Sequence, residues 1–377
     1  MHTLSVVGTR PNFVKMAPVL AQLHERDPDG RHVLVHTGQH YDRLMSEVFL
    51  DELGVPEPTH RLDAGSGTHA IQTARVMERF EPILEQERPD VVLIPGDVNS
   101  TLSAAVVAAK ACVPIAHVES GLRSFDRTMP EEINRVVADS LSQLLFVHSS
   151  EAVDNLRAEG ISDERIHFVG NTMIDSLVAV EHRVRDLDVA GRFGLTSGDY
   201  LLVTLHRPAL VDGPLLRDVI ERLNAISDQL PVVFPMHPRT HARVEALGIP
   251  TRFHWVEPLG YLDFLSLQSG AAGVLTDSGG VQEETTFFGV PCFTLRDNTE
   301  RPVTVRVGTN TLLGLDPARI GEILPALAVR EAAKLPPPPG WDGQAAQRVA
   351  DLFADEVRSA HQPSPSPAAG DARSAVL

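Results

Sequence analysis

The chain is poor in cysteine. Cys112 and Cys292 lie far apart in short apolar runs, so neither a disulfide framework nor a paired-cysteine metal site can be built. Positive charge is short as well: 33 lysines and arginines face 50 aspartates and glutamates, a formal net charge of −17. Such a surface repels nucleic acid and anionic membrane except at a local basic patch, so cationic sites must be few and placed. No apolar run approaches the ~20 residues that span a bilayer, and MHTLSVVGTRPNF at the start reads directly into a strand where a basic signal peptide would differ. A reducing cytoplasm is the expected compartment. Motifs are missing too: no GxGxxG, no GxxxxGK[ST] and no HExxH occur, which leaves dinucleotide, P-loop and zinc readings without support.

What remains is the composition of an α/β chain, 43% hydrophobic, whose 377 residues suit two domains of roughly 100–200 residues each. Short β-branched runs at Leu4–Val7, Val33–His36, Val91–Ile94, Pro114–Val118 and Leu144–Val147 alternate with amphipathic stretches. The rhythm restarts with Leu201–Thr204, Val232–Pro235, Gly273–Thr276 and Cys292–Leu295. This βαβ alternation predicts two Rossmann-like, doubly wound domains, 1–170 and 171–360. PPPPG at Pro336–Gly340 breaks the helical pattern before a last helix, expected to pack back on the first domain. The tail 361–377 is expected to be disordered.

Ligands of open α/β sheets bind at the carboxyl ends of strands. There, GTRPNFVK supplies Gly8 for close backbone approach, Pro11 for a helix start and Arg10 for an anion. The next strand ends, PGDVNST and HVESGLRSFDRTMPEEINR, gather Asp97, His117, Glu119, Arg123, Glu131, Glu132 and Arg135 at one sheet edge. Crowded carboxylates in a partly dry cleft suit acid/base work, although Glu131 and Glu132 also read as ordinary first-turn acids after Pro130. In the second half, VTLHRP and FPMHPRT bring His206 with Arg207 and His237 with Arg239 to strand ends. In TDSGGVQEET, Ser278, Gly279 and Gly280 offer backbone N–H groups to a phosphate at a helix start, and Glu284, one turn inside, can hold ribose hydroxyls. TERP adds Arg301 near the same edge.

Taken together, GTRPNFVKMAPV, HTGQHYD, GDVNSTL, HVESGLRSFDRTMPEEINR, FVGNTMID, VTLHRP, HPRT, TDSGGVQEET and LRDNTERP resemble the non-hydrolysing UDP-N-acetylglucosamine 2-epimerases, collinearly over about residues 3–330. The resemblance implies the glycosyltransferase-B architecture with an interdomain cleft, and reversible conversion of UDP-GlcNAc to UDP-ManNAc through elimination and re-addition of UDP. It implies neither NAD nor a catalytic metal. It assigns Asp97, Glu119, Glu131 and His206 to catalysis, and Arg10, Arg135, His237, Ser278, Gly279, Gly280, Glu284 and Arg301 to substrate and nucleotide. Gln39 and His40 match a segment that holds a second, activating UDP-GlcNAc in many members. A homodimer serving cell-surface polysaccharide synthesis is expected. A hydrolysing epimerase releasing ManNAc and UDP shares nearly every motif, a retaining glycosyltransferase shares the fold, and a non-catalytic UDP-sugar sensor is the alternative of another class. The sequence departs from the commonest family pattern at Asn12-Phe13 and at HRPALVD, where Ala209 and Leu210 replace polar residues next to His206, close to the expected nucleotide or sugar.

Overall fold

The computed structural model describes residues 1–38, 52–329 and 336–360, with side chains of the last helix described to Phe353. The first sheet comprises β1 (His2–Val7), β2 (Arg31–His36), β3 (His60–Arg61), β4 (Val91–Pro95), β5 (Ile115–Val118), β6 (Leu144–Val147) and β7 (Ile166–Phe168), in the order β3-β2-β1-β4-β5-β6-β7. The second comprises β8 (Leu201–Thr204), β9 (Val232–Pro235), β10 (His254–Val256), β11 (Gly273–Thr276), β12 (Cys292–Thr294) and β13 (Asn310–Leu312), in the order β10-β9-β8-β11-β12-β13. Every pairing is parallel. Central strands are buried along almost their whole length because helices cover both faces, which is why they read as unbroken apolar runs. Of the four short edge strands β3, β7, β10 and β13, only β7 shows an apolar run in the sequence, Ile166–Val169; the sequence pattern does not announce the other three.

In both sheets the order reverses between the first and fourth strand of the unit, β1/β4 and β8/β11, the switch points where parallel sheets open a crevice. The two-domain architecture is therefore that of the glycosyltransferase-B fold. The chain crosses back at its end. Trp341, 1% exposed, donates its indole N–H to the His148 carbonyl at 3.1 Å. Helix Ala345–Ala360 then sets Ala346, Val349, Ala350 and Phe353 into the first sheet's core beside Phe13, Met16 and Leu20. Its first turn is held by Asp175 of helix Thr172–Arg185, whose Oδ2 accepts the Ala346 N–H at 2.6 Å. Val14, Met173, Leu177, Tyr261 and Leu265 form a further apolar cluster that joins the halves. No helix among the described residues is long and apolar enough to cross a membrane.

Candidate active site

The loops leaving β1, β4, β8 and β11 converge on a cavity of about 350 Å³. From the first sheet come Arg10, Lys15, Asp97 and Glu131; from the second come His206, Arg207, Ser278, Gly279, Gly280, Glu284 and Arg301. Helix Arg10–Arg26 starts directly after β1, and Asn12 fixes that start: its Oδ1 accepts the N–H of Gly8 at 3.1 Å and of Thr9 at 3.3 Å, while its Nδ2 donates to the Pro95 carbonyl at 3.3 Å. Asn12 thus ties the first strand end to the fourth.

Beneath the cavity floor sits a dense ion network. Glu119, 5% exposed, meets Lys15 Nζ at 2.7 Å, Arg135 Nη2 at 3.1 Å and Arg301 Nη2 at 3.3 Å. Burial alone would push its carboxyl up; Lys15, Arg301 and Arg135 overcome that and hold it well below the usual carboxylate range. Glu119 occupies a left-handed conformation, φ 66°, uncommon outside glycine and typical of residues that the surroundings over-determine. Arg135 also pairs with Asp97 Oδ2.

On the opposite wall, helix Gly279–Phe288 points its N-terminus at the cavity, where its free N–H groups and dipole favour an anion. Arg301 packs across that N-terminus, and only glycine fits beneath it, because a Cβ at Gly279 would overlap the guanidinium. Besides Glu119, Arg301 contacts Glu300 Oε2 at 3.3 Å and Glu283 Oε1 at 3.2 Å, so one side chain spans both halves of the molecule. Glu284 is buried on the cavity wall. Its carboxyl is pushed up to about 8 by burial and then by neighbouring Glu283, against hydrogen bonds from Tyr261 and Gln268. His206 is oriented from below: Asp277 accepts the N–H groups of His206 and Arg207 at 2.9 and 2.7 Å and lies 2.8 Å from His206 Nδ1.

Most residues singled out by sequence share this one space, with five differences. Glu119, expected in catalysis, is off the cavity wall and lies beneath it among Lys15, Arg135 and Arg301. Arg135, expected among the substrate contacts, is 1% exposed and lies under Asp97 and Glu119, off the cavity wall. His237 caps helix Pro238–Ala246 and lines an adjoining hollow of about 940 Å³, beside Arg239. Leu210 turns into the second domain's core, so the HRPALVD departure does not place it at the ligand. Gln39 and His40 lie outside the described residues, as does the tail 361–377. Sequence reasoning passed over Lys15, Asp277, Glu283, Glu300 and Tyr261. Lys15 carried a signal, a lone cation in the otherwise apolar run FVKMAPV.

Comparison with known proteins points to 2-epimerases of UDP-sugars. A family model described as UDP-N-acetylglucosamine 2-epimerase matches residues 22–354. The UDP-N-acetylglucosamine 2-epimerase of Methanococcus maripaludis is 41% identical over 84% of this chain and 88% of its own. The UDP-2,3-diacetamido-2,3-dideoxy-D-glucuronate 2-epimerase of Pseudomonas aeruginosa is 43% identical over 83% of this chain and 88% of its own. A crystal structure of the Methanocaldococcus jannaschii UDP-GlcNAc 2-epimerase in complex with UDP-GlcNAc and UDP superimposes with a TM-score of 0.87 at 38% identity, covering 94% of this chain and 100% of that one.

Proposed function

The chain belongs to the UDP-N-acetylglucosamine 2-epimerase family, and from that premise we propose that its cavity interconverts UDP-N-acetylglucosamine and UDP-N-acetylmannosamine by elimination and re-addition of UDP. The observation that carries the reading is the shared cavity: carboxylates from one sheet face an anion-binding helix start from the other. A pyranose C2 proton is too weakly acidic for an unaided carboxylate. Departure of UDP with the C1–O electron pair leaves oxocarbenium-like charge at C1, which acidifies that proton. The N–H groups at Gly279 and Gly280, with Arg10 and Arg301, stabilise the departing pyrophosphate. Glu284 receives the ribose hydroxyls. A carboxylate takes the C2 proton, giving a 2-acetamidoglucal. A second acid/base group returns a proton to the opposite face while UDP re-adds at C1. Asp97, Glu131 and His206, on the cavity wall, are the candidates for these roles, with Glu119 held as an anion beneath them.

The test is incubation with UDP-GlcNAc in deuterated water, followed by NMR. UDP-ManNAc with deuterium at C2 is expected. Free ManNAc would identify the hydrolysing reaction, and the absence of turnover with retained binding would identify a sensor. The P. aeruginosa relative acts on a diacetamido uronate, so the same assay run with that UDP-sugar ranks the two substrates.

A further inference from the structure

One buried pair near the site has no part in the chemistry above. His117 on β5 and Asp139 on helix Pro130–Leu141 are both fully buried. His117 Nδ1 lies 2.7 Å from Asp139 Oδ1, and Nε2 lies 2.7 Å from the carbonyl oxygen of Gly96. The ring thus meets a carboxylate with one nitrogen and a backbone carbonyl with the other. The second carboxylate oxygen of Asp139 accepts the N–H of Gly121 at 3.1 Å and meets Arg123 at 2.7 Å.

The two backbone groups so engaged flank the acidic residues of the cavity floor. The Gly96 carbonyl immediately precedes Asp97, and the Gly121 N–H follows Glu119 by two residues. Each loop needs fixing, because Gly96, Glu119 and Gly121 all have positive φ, at 63°, 66° and 77°. Such conformations persist only where the surroundings impose them. The helix that brings Asp139 carries Arg135 one turn earlier and Glu131 one turn earlier still, all on one face by the i, i+4 rule. Along that stripe Glu131 reaches the cavity, Arg135 pairs with the side chains of Asp97 and Glu119, and Asp139 with His117 holds the backbone below.

We propose that the His117–Asp139 pair is a positioning element of the reaction: it fixes the two strand-end loops that carry Asp97, on the cavity wall, and Glu119, just beneath it, in the arrangement that turnover requires. Neither residue lines the cavity, and of the groups assigned above to the nucleotide all but Arg10 belong to the other sheet. The pair therefore acts mainly on turnover and changes UDP binding little. The inference rests on the epimerase reading. Deuterium exchange at C2 by the unmodified enzyme tests that reading separately, before any variant is made.

The experiment compares His117→Phe, His117→Gln and Asp139→Asn. Turnover is measured per UDP-binding site, alongside KM, UDP affinity by calorimetry and thermal melts. A displacement of about 1 Å in acid/base groups costs on the order of 10²-fold in rate. His117→Phe, which leaves both oxygens without the ring nitrogens they meet, is expected to lower kcat to that extent, with KM and UDP affinity within about threefold. His117→Gln supplies one amide donor and recovers part of the loss, as does Asp139→Asn, which keeps an acceptor for Gly121. If His117→Phe does not fold, the glutamine and asparagine variants carry the decision. Turnover per binding site within about threefold of the parent overturns the proposal. So does a loss of kcat matched by equal losses in UDP affinity and melting temperature, since that marks general destabilisation.

Discussion

The protonation of Glu284 gives the sharpest handle on the nucleotide half of the site. Burial and Glu283 push its carboxyl up to about 8, and Tyr261 and Gln268 only partly offset them. A carboxyl accepting bonds from two ribose hydroxyls works as an anion, so near neutrality UDP must displace a proton before being fully held. With the midpoint about one unit above pH 7, roughly one site in eleven is ionised there, and restoring the charge costs RT ln 11, about 1.4 kcal/mol. Raising the pH removes that cost. UDP affinity is therefore expected to rise about tenfold between pH 7 and pH 9 and then level off. The terminal phosphate of UDP loses its own last proton near a pKa of about 6, below this window. Calorimetry in two buffers of different ionisation enthalpy should show close to one proton released per UDP at the low end and almost none at the high end. Glu284→Gln should give a flat profile, weaker than the parent by roughly 1.5–3 kcal/mol at the alkaline end, the usual worth of hydrogen bonds to a charged group. Unchanged parent affinity across the window, with no buffer-dependent heat, would refute the assignment of Glu284 to ribose.

The same group affects the fold with the opposite sign. Its folded-state midpoint, about 8, lies above the ordinary 4.5, so the native protein holds this proton more tightly than the unfolded chain, and parent stability falls as pH rises from about 4.5 to about 8. Glu284→Gln lacks that loss, so its melting temperature should gain on the parent's across this window; a pH-independent difference would mean that Glu284 does not titrate there. Asp97→Asn and Glu131→Gln are each expected to lower turnover by about 10²–10⁴-fold with melts intact, and Glu119→Gln to do so with a lowered melting temperature, because it leaves Lys15, Arg135 and Arg301 without their buried anion; near-parental rates in all three would remove the carboxylates from the chemistry. Gly279→Ala pushes the Arg301 guanidinium off the helix N-terminus and should weaken UDP binding by roughly 1.5–3 kcal/mol in the same calorimetry, the usual worth of hydrogen bonds to a charged group; undiminished affinity would show that Arg301 does not hold the pyrophosphate.

The legible part of this molecule follows from one rule of parallel sheets. Buried central strands must be apolar, and polar residues at their carboxyl ends are free to serve a ligand, so Asp97, Glu119, His206 and Ser278–Gly280 stand out against β4, β5, β8 and β11. The edge strands β3, β10 and β13, two or three residues long, carry no such contrast, and of the short edges only β7 is legible. Leu210 shows the limit from the other side. Adjacency to His206 along the chain suggested the ligand, yet a turn of helix at Pro208–Val211 rotates Leu210 into the core. Arg135 shows it again, since sequence places it among the site's cations but not beneath its carboxylates. The depth of a side chain below a cavity depends on neighbouring helices, and motif reading does not contain that information. Periodicity does contain part of it. Glu131, Arg135 and Asp139 recur at intervals of four, an uncommon charged stripe in a helix whose Asn134, Arg135, Ala138 and Asp139 are all buried. Glu131 is exposed to the cavity, but the buried ions Arg135 and Asp139 cannot be solvated, so each must meet a partner supplied by the adjoining strand ends. Those strand ends are where Asp97, His117 and Glu119 lie. The stripe and the strand-end motifs thus specify each other, and the floor of the site follows from the two read together.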